Sequence, residues 1–303
     1  MRVLRFDDPE CSDVGAAGGK GASLARLAGL GLPVPAGFVV SADALAASLP
    51  DGGAELRELL SGGATPETSE RARSAVLAAE PARALVDAIA EAYRALGDEP
   101  PVAVRSSACA EDSEAASYAG QQETYLHVQG VEAVVRRVRD CWASFFSERA
   151  LFYRARKGSL EDVSMAVVVQ RMVAADVAGV LFTRDPVQRR RDRMVVEAVF
   201  GLGEAAVSGQ VTPDHFVLSR DGQVKKSRIA VQPFAVVIGP AGGTTERELS
   251  ADEGAAPTLD EEHLGVLARL GDELERRLGA PQDIEWALEA GELYVLQARP
   301  VTA

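Results

Sequence analysis

Apolar positions along the chain change their period several times, and each change marks a different element. Leu24, Leu27 and Ala28 recur at helical spacing behind the glycine-rich run GAAGGKG at 15–21, and Gly29 and Gly31 stop that pattern. The reading there is a loop, a short helix and a turn through Pro33 and Pro35. Residues 37–40 form a short strand, and Ser41 can cap the helix that follows. Residues 50–81 mix Gly, Ser, Thr, Pro and Glu with alanine-rich pieces, which predicts the loosest part of the N-terminal half. Residues 82–96 form an amphipathic helix, 102–104 a buried strand, and 105–122 a polar loop. The spacing of Trp142, Phe145, Phe146 and Phe152 predicts one long helix over 132–156.

Further on, 167–169 and 179–182 read as strands joined by a turn near 174–176, and the strand at 194–198 runs into GLGE at 201–204. Residues 219–258 show strands and loops with little helical period, and 239–258 form a second mobile region. Leu264, Leu267, Leu270 and Leu274 share one face of a helix over 259–278. Residues 284–288 and 293–296 make a hairpin around Ala290-Gly291. Hairpins mixed with helices predict an α+β fold of lobes around antiparallel sheets, without the regular alternation of a doubly wound sheet. At 303 residues the chain suits a single composite domain over 1–303 with two or three lobes.

Composition narrows the function classes. Hydrophobic residues make up 47 % and charged residues 25 %, which are globular values. The formal net charge of −13 disfavours nucleic acid as a partner, and it requires any nucleotide site to be a local cluster of Lys and Arg. The three cysteines, Cys11, Cys109 and Cys141, lack CxxC spacing, so neither a disulfide framework nor a thiolate zinc site is expected. That cysteine usage suits a reducing cytoplasm. Residues 1–13 lack the apolar core of a secretory signal. No apolar run approaches the ~18 residues needed to cross a membrane.

Three constellations can carry chemistry. Gly18-Gly19-Lys20-Gly21 opens a helix, where free N–H groups and a lysine favour an anion, although taken alone the run is more simply a plain turn with a solvated lysine. The run fails as a Walker A loop, because Val14 and Gly21 occupy its required positions. Arg105 in VRSS leaves a buried strand with a guanidinium suited to phosphate, or else bridges to Glu111 or Asp112. The polar stretch 117–124 is either a flap over a ligand or a surface hairpin. Near the C-terminus, Asp283 and Glu285 share one strand face, and Gln297 and Arg299 share a face of the next strand. Such a hairpin offers oxygen ligands for a hard cation beside a phosphate-binding arginine, or a cross-hairpin ion pair between Glu285 and Arg299.

Five segments in one order, GGKGASLARL, VAVRSSACAEDSEAASYAGQQETYL, VVVQRMVAADVAGVLFTRDPV, VVEAVFGLGEAAVSGQVTPD and PQDIEWALEAGELYVLQARPVT, resemble the ATP-binding domain of the phosphoenolpyruvate synthase, pyruvate phosphate dikinase and rifampin phosphotransferase family. The resemblance implies an ATP-grasp fold in which lobes clamp ATP. It implies phosphate contacts for Lys20 and Arg105, and backbone and hydroxyl contacts at Gly120 and Thr124. It places Gln170 and Met172 beside the adenine and gives Glu285 and Gln297 as ligands of magnesium or manganese. Arg299 would hold the terminal phosphate, and Arg184 and Glu204 match the family without a defined role.

The resemblance also implies parts outside these segments. A swivelling domain carries a histidine that accepts phosphate, and another domain binds the final acceptor. His127, His215 and His263 do not sit in the family's glycine-rich Ser-His context and read as surface or hydrogen-bonded histidines. The acceptor histidine is therefore expected on a separate domain or partner chain, with AMP and phosphate as products. The alternative is a stand-alone ATP-grasp kinase or ligase acting directly on a small molecule and making ADP. A nucleotide-sensing module without catalysis is a third reading.

Overall fold

A computed structural model describes residues 2–109, 123–188, 190, 192–239 and 242–301. The chain divides into two compact units, one of Met1–Gly31 with Ala36–Met172, the other of Leu32–Pro35 with Val173–Ala303.

The first unit contains β1 (Val3–Arg5), α1 (Val14–Gly29), β2 (Gly37–Val40), α2 (Asp43–Ser48), α3 (Ala54–Ser61), α4 (Pro66–Ala78), α5 (Arg83–Arg94), β3 (Val102–Ser107), β4 (Thr124–Val128), α6 (Val131–Ser144), α7 (Glu148–Lys157) and β5 (Ala166–Arg171). Its strands form one antiparallel sheet in the order β1-β2-β5-β3-β4. One face of that sheet, with Phe38, Val40, Val102, Val104, Val167 and Val169, is buried against helices that include α3 to α6. Residues 50–81, predicted to be loose, hold α3 and α4, and their Leu56, Leu60, Ala72 and Val76 are buried.

The long helix predicted over 132–156 is two helices. α6 stops at Ser144, and the Ser147 hydroxyl caps α7 by accepting from the Ala150 N–H. Arg154 explains the break. Its guanidinium lies 3.8 Å over the Phe145 ring and donates to the carbonyls of Phe145, Ser159, Leu160 and Asp162. These bonds satisfy a fully buried cation through the segment where α6 ends and α7 begins.

The second unit contains β6 (Val177–Phe182), β7 (Arg193–Phe200), α8 (Glu204–Val207), β8 (Asp214–Ser219), β9 (Val224–Arg228), β10 (Phe234–Ile238), β11 (Thr244–Glu248), α9 (Ala251–Ala255), α10 (Glu261–Leu278), β12 (Gln282–Glu289) and β13 (Glu292–Pro300). Six strands form an antiparallel sheet in the order β13-β12-β6-β7-β8-β9, and β10 pairs with β11 as a separate hairpin. Leu264, Leu267 and Leu274 of α10 are buried, and Gly271 of α10 packs on Leu181, Thr183 and Met194. Helix α10 thus covers one face of the sheet, and the other carries Asp283, Glu285, Gln297, Arg299, Glu197 and His215 among apolar residues such as Val180, Val195 and Val217. Each unit buries one tryptophan completely, Trp142 in the first and Trp286 in the second. The Trp142 indole donates to the Met165 carbonyl, whereas the buried Trp286 indole nitrogen has no hydrogen-bond partner among the described residues.

The α+β class and the antiparallel sheets agree with the sequence pattern. No helix among the described residues is long and apolar enough to cross a membrane.

Candidate functional site

In the first unit the site is built where α1 meets the end of β3. The glycine run read as a loop lies inside α1, which Asp13 caps by accepting from the Gly15 N–H at 2.9 Å. The helix kinks at Gly18, where φ is +68° and ψ is 173°. A Cβ there would collide with the backbone carbonyl and hydroxyl oxygens of Ser107, so both the dihedral and the approach require glycine.

Ser107 clasps the kink from β3. Its hydroxyl donates to the Ala17 carbonyl at 2.9 Å and accepts from the Gly21 N–H at 3.1 Å. The Gly19 N–H donates to the Ala108 carbonyl at 2.9 Å. Lys20 follows Gly19, and Arg105 stands two residues before Ser107 on the same face of β3. The clasp therefore fixes the backbones of both half-buried cations relative to one another.

Strand register adds two more residues to that face. Thr124 stands opposite Arg105, and Gln170 stands opposite Ala103. Gln170 is buried. The Met172 N–H donates to the Pro101 carbonyl, and its sulfur accepts from the His127 N–H at 2.8 Å. His127 has a φ of +54° beside a shift in β3–β4 register, so the bulge aims a backbone donor at Met172. Gly120 lies outside the described residues.

Thiol chemistry finds no support nearby. Burial pushes the Cys141 thiol up, Asp140 and Glu123 add to the shift, and Lys20 opposes it. Burial likewise pushes Cys11 up to about 12. Both thiols stay protonated at neutral pH and are poor nucleophiles.

In the second unit the candidate residues occupy the sheet face opposite α10. Glu285 pairs directly with Gln297, and Asp283 pairs directly with Arg299. A bulge between Glu285 and Trp286 breaks the register beside the first pair. Arg299 donates to Asp283 at 2.8 Å. Burial raises the Asp283 carboxyl above its ordinary value, Arg299 pulls it down, and Glu285 pushes it up.

The same row continues across the sheet through Val180 to Glu197, His215 and Arg228. His215 Nδ1 lies 3.4 Å from a Glu197 carboxylate oxygen. By sequence alone His215 is an ordinary surface or hydrogen-bonded histidine. The structure places it level with Glu285 and Gln297, a relationship that only the strand register reveals.

Arg184 follows β6 at the Arg299 end of the sheet. Glu204 is at the opposite end, exposed at the start of α8, where its carboxylate accepts from the Thr244 hydroxyl at 3.5 Å. Register therefore groups Glu285, Gln297, Asp283, Arg299 and Arg184 and leaves Glu204 apart from them. Among the described residues, no group of three or more His, Cys, Asp and Glu is placed to hold a metal ion. The oxygen donors in the hairpin are Glu285 and Gln297, with Asp283 engaged by Arg299. A cavity of about 920 Å³ in the first unit is lined by Tyr93, Arg94, Glu99, Gln129, Gly130 and Arg136, and by none of these candidates.

Residues 14–303 match the family model described as pyruvate phosphate dikinase, AMP/ATP-binding domain. The chain is 42 % identical over 315 residues to a probable phosphoenolpyruvate synthase of Methanocaldococcus jannaschii, covering 99 % of this chain and 26 % of that protein. It is 42 % identical to a probable phosphoenolpyruvate synthase of Archaeoglobus fulgidus, covering 100 % of this chain and 42 % of the relative. It is 43 % identical to a rifampicin phosphotransferase of Streptomyces sviceus, covering 99 % and 36 % respectively. The chain thus spans less than half the length of these curated relatives. A D-alanyl-alanine synthetase A from Vibrio cholerae is similar at 12 % identity and a TM-score of 0.39, covering 99 % of this chain and 58 % of that one, a likeness too faint to build on.

Proposed function

The chain belongs to the pyruvate phosphate dikinase AMP/ATP-binding domain family, and on that premise we propose that it is the ATP-binding component of a phosphotransferase. In this reading the whole chain is a composite ATP-grasp domain. It binds ATP with magnesium or manganese and passes a phosphoryl group to a histidine on a separate swivelling domain. The α-phosphate stays on AMP, the β-phosphoryl group goes to an imidazole nitrogen, and the γ-phosphate leaves by hydrolysis as inorganic phosphate. The three free cysteines suit a cytoplasmic setting.

The observation that carries the reading is the clasp of Ser107 on the α1 kink. Phosphoryl transfer depends on positioned positive charge, and this clasp holds the backbones of Lys20 and Arg105 without help from either side chain. Lys20 and Arg105 bind phosphate oxygens, with Gly120 and Thr124 adding backbone and hydroxyl contacts. Gln170 and Met172 adjoin the adenine. Arg299 takes the terminal phosphate, Arg184 lies at the same end of the sheet, and Glu204 shares the family motif without a role in this group.

Glu285 and Gln297 suit a hard divalent cation, since both offer oxygen and stand directly opposite each other. Two protein oxygens leave room for phosphate oxygens and water in the rest of the shell. A cation held there would neutralise charge on the phosphates.

The test is turnover by the purified chain with and without a histidine-bearing swivelling domain. The chain alone should bind ATP, hydrolyse it slowly and leave His127, His215 and His263 unphosphorylated. Adding the swivelling domain should yield AMP and an acid-labile, base-stable phosphohistidine. Rapid formation of ADP from a small-molecule substrate by the chain alone would overturn the proposal.

A further inference from the structure

Glu197 of β7 and His215 of β8 stand directly opposite each other, on the sheet face that carries Glu285 and Gln297. Val180 of β6 separates Glu197 from Glu285 in the same row. Two strand spacings therefore lie between the two glutamates, roughly 10 Å from backbone to backbone. On the same face Glu197 is flanked along β7 by Val195 and Val199, and His215 along β8 by Val217, all three buried. Beyond His215 the row ends at Arg228, exposed on the edge strand β9. The pair is thus a polar island in the middle of the face. The His215 and Glu197 side chains keep 30 % and 41 % of their surface, so both remain open to a ligand.

The chemistry of this pair differs from that of the cations that suit phosphate. His215 Nδ1 lies 3.4 Å from one Glu197 carboxylate oxygen. When Nδ1–H donates to that oxygen, the imidazole keeps Nε2 as an acceptor and the carboxylate keeps its second oxygen. Two acceptors then sit side by side. Phosphate oxygens are acceptors too, and their charge is repelled by a carboxylate. Two adjacent hydroxyl donors match the pair instead. Ribose presents such a diol, and a carboxylate accepting from a ribose hydroxyl is an established solution in dinucleotide sites.

We infer that Glu197 and His215 hold the ribose of the nucleotide, each accepting from one of its two neighbouring hydroxyls. The gap of two strands between Glu285 and Glu197 leaves room for the phosphates that separate the sugar from the metal. The inference rests on the reading of this face as an ATP site and adds to it a choice between ribose and deoxyribose.

Calorimetric titration of the intact chain with ATP, 2′-deoxy-ATP, 3′-deoxy-ATP and inorganic triphosphate tests it. The wild type should bind each deoxy analogue about tenfold more weakly than ATP, the loss of one hydrogen bond to a positioned acceptor. Glu197→Ala should no longer distinguish ATP from one of the analogues, and His215→Phe should no longer distinguish it from the other. Glu197→Gln keeps the shape and one acceptor oxygen, so it should retain part of the discrimination. Triphosphate has no sugar and should bind Glu197→Ala at least as tightly as the wild type. Equal binding of ATP and both analogues by the wild type, full discrimination in both Glu197→Ala and His215→Phe, or weaker triphosphate binding in Glu197→Ala would overturn the assignment and leave the ATP reading standing. A wild-type chain that binds triphosphate but no nucleotide would overturn both.

Discussion

Arg299 and Asp283 face each other across the β12–β13 ladder, and both Nε and Nη2 of the arginine lie 2.8 Å from the same carboxylate oxygen. The Asp283 side chain keeps only 12 % of its surface, whereas Arg299 keeps 50 %. The carboxylate is thus a buried anchor for a guanidinium whose outer side still meets solvent.

That asymmetry sets a pH dependence. Burial raises the folded-state pKa of Asp283 above its ordinary 3.8, despite the pull of Arg299. A raised carboxyl binds its proton more tightly when folded. Its contribution to stability is therefore complete below 3.8 and is lost as pH rises through the elevated value. Asp283→Asn removes this titration. Urea unfolding from about pH 4 to about pH 7 should show the variant gaining on the wild type as pH rises; parallel curves would contradict the burial argument.

Lys20→Ala and Arg105→Ala should each weaken ATP binding by about tenfold or more, the equivalent of ~1.5–3 kcal/mol for a charge-assisted contact. Both residues are half-buried outside the apolar core, so the melting temperature should change little. Wild-type affinity in both variants, measured by calorimetry, would remove them from the site.

Gly18→Ala should harm fold and binding together. The new methyl group meets the backbone of Ser107 and must adopt a φ near +68°. Strain and overpacking together should cost about 2–4 kcal/mol, and α1 should move off β3, taking Lys20 with it. Gly21→Ala is the milder control, because its Cβ would meet the Val39 and Ala17 side chains at 2.9 and 3.1 Å, not backbone, and its φ lies in the range that alanine adopts. Denaturant unfolding of the two variants, with ATP titration, checks the order.

Glu285→Gln keeps the shape of the side chain opposite Gln297 but replaces an anionic ligand with a neutral one. Metal-dependent turnover with the swivelling domain should fall by an order of magnitude or more, on the scale of a lost metal ligand. A role limited to surface pairing predicts unchanged turnover and at most ~1 kcal/mol lost in stability. Turnover and melting temperature measured on the same preparation separate the two.

Much of the C-terminal half of the site is legible in local sequence. Period-two alternation places Asp283 with Glu285 and Gln297 with Arg299, and Ala290-Gly291 marks the turn, where both residues take positive φ. Helix α10 was legible for a similar reason, since its leucines repeat on one face. The glycine run was not. What turns it from loop into kinked helix is Ser107, nearly ninety residues away, and no window over 15–21 contains that serine. The α6–α7 break failed in the same way, because helical spacing of aromatics persists across Ser147 while Arg154 decides the geometry. Glu197 beside His215 depends on register between strands. Composition and local period carry no record of register when both flanking strands are apolar.

The two buried tryptophans give each unit its own optical signal. Trp142 donates its indole N–H to a carbonyl, and Trp286 has no such acceptor among the described residues, so the second ring should emit at shorter wavelength while the chain is folded. Since no other tryptophan exists, replacing either one by phenylalanine leaves a single fluorophore that reports on one unit. Stopped-flow fluorescence of the two variants would then show whether the units unfold in one step or in sequence, and which of them nucleotide protects, with no external label.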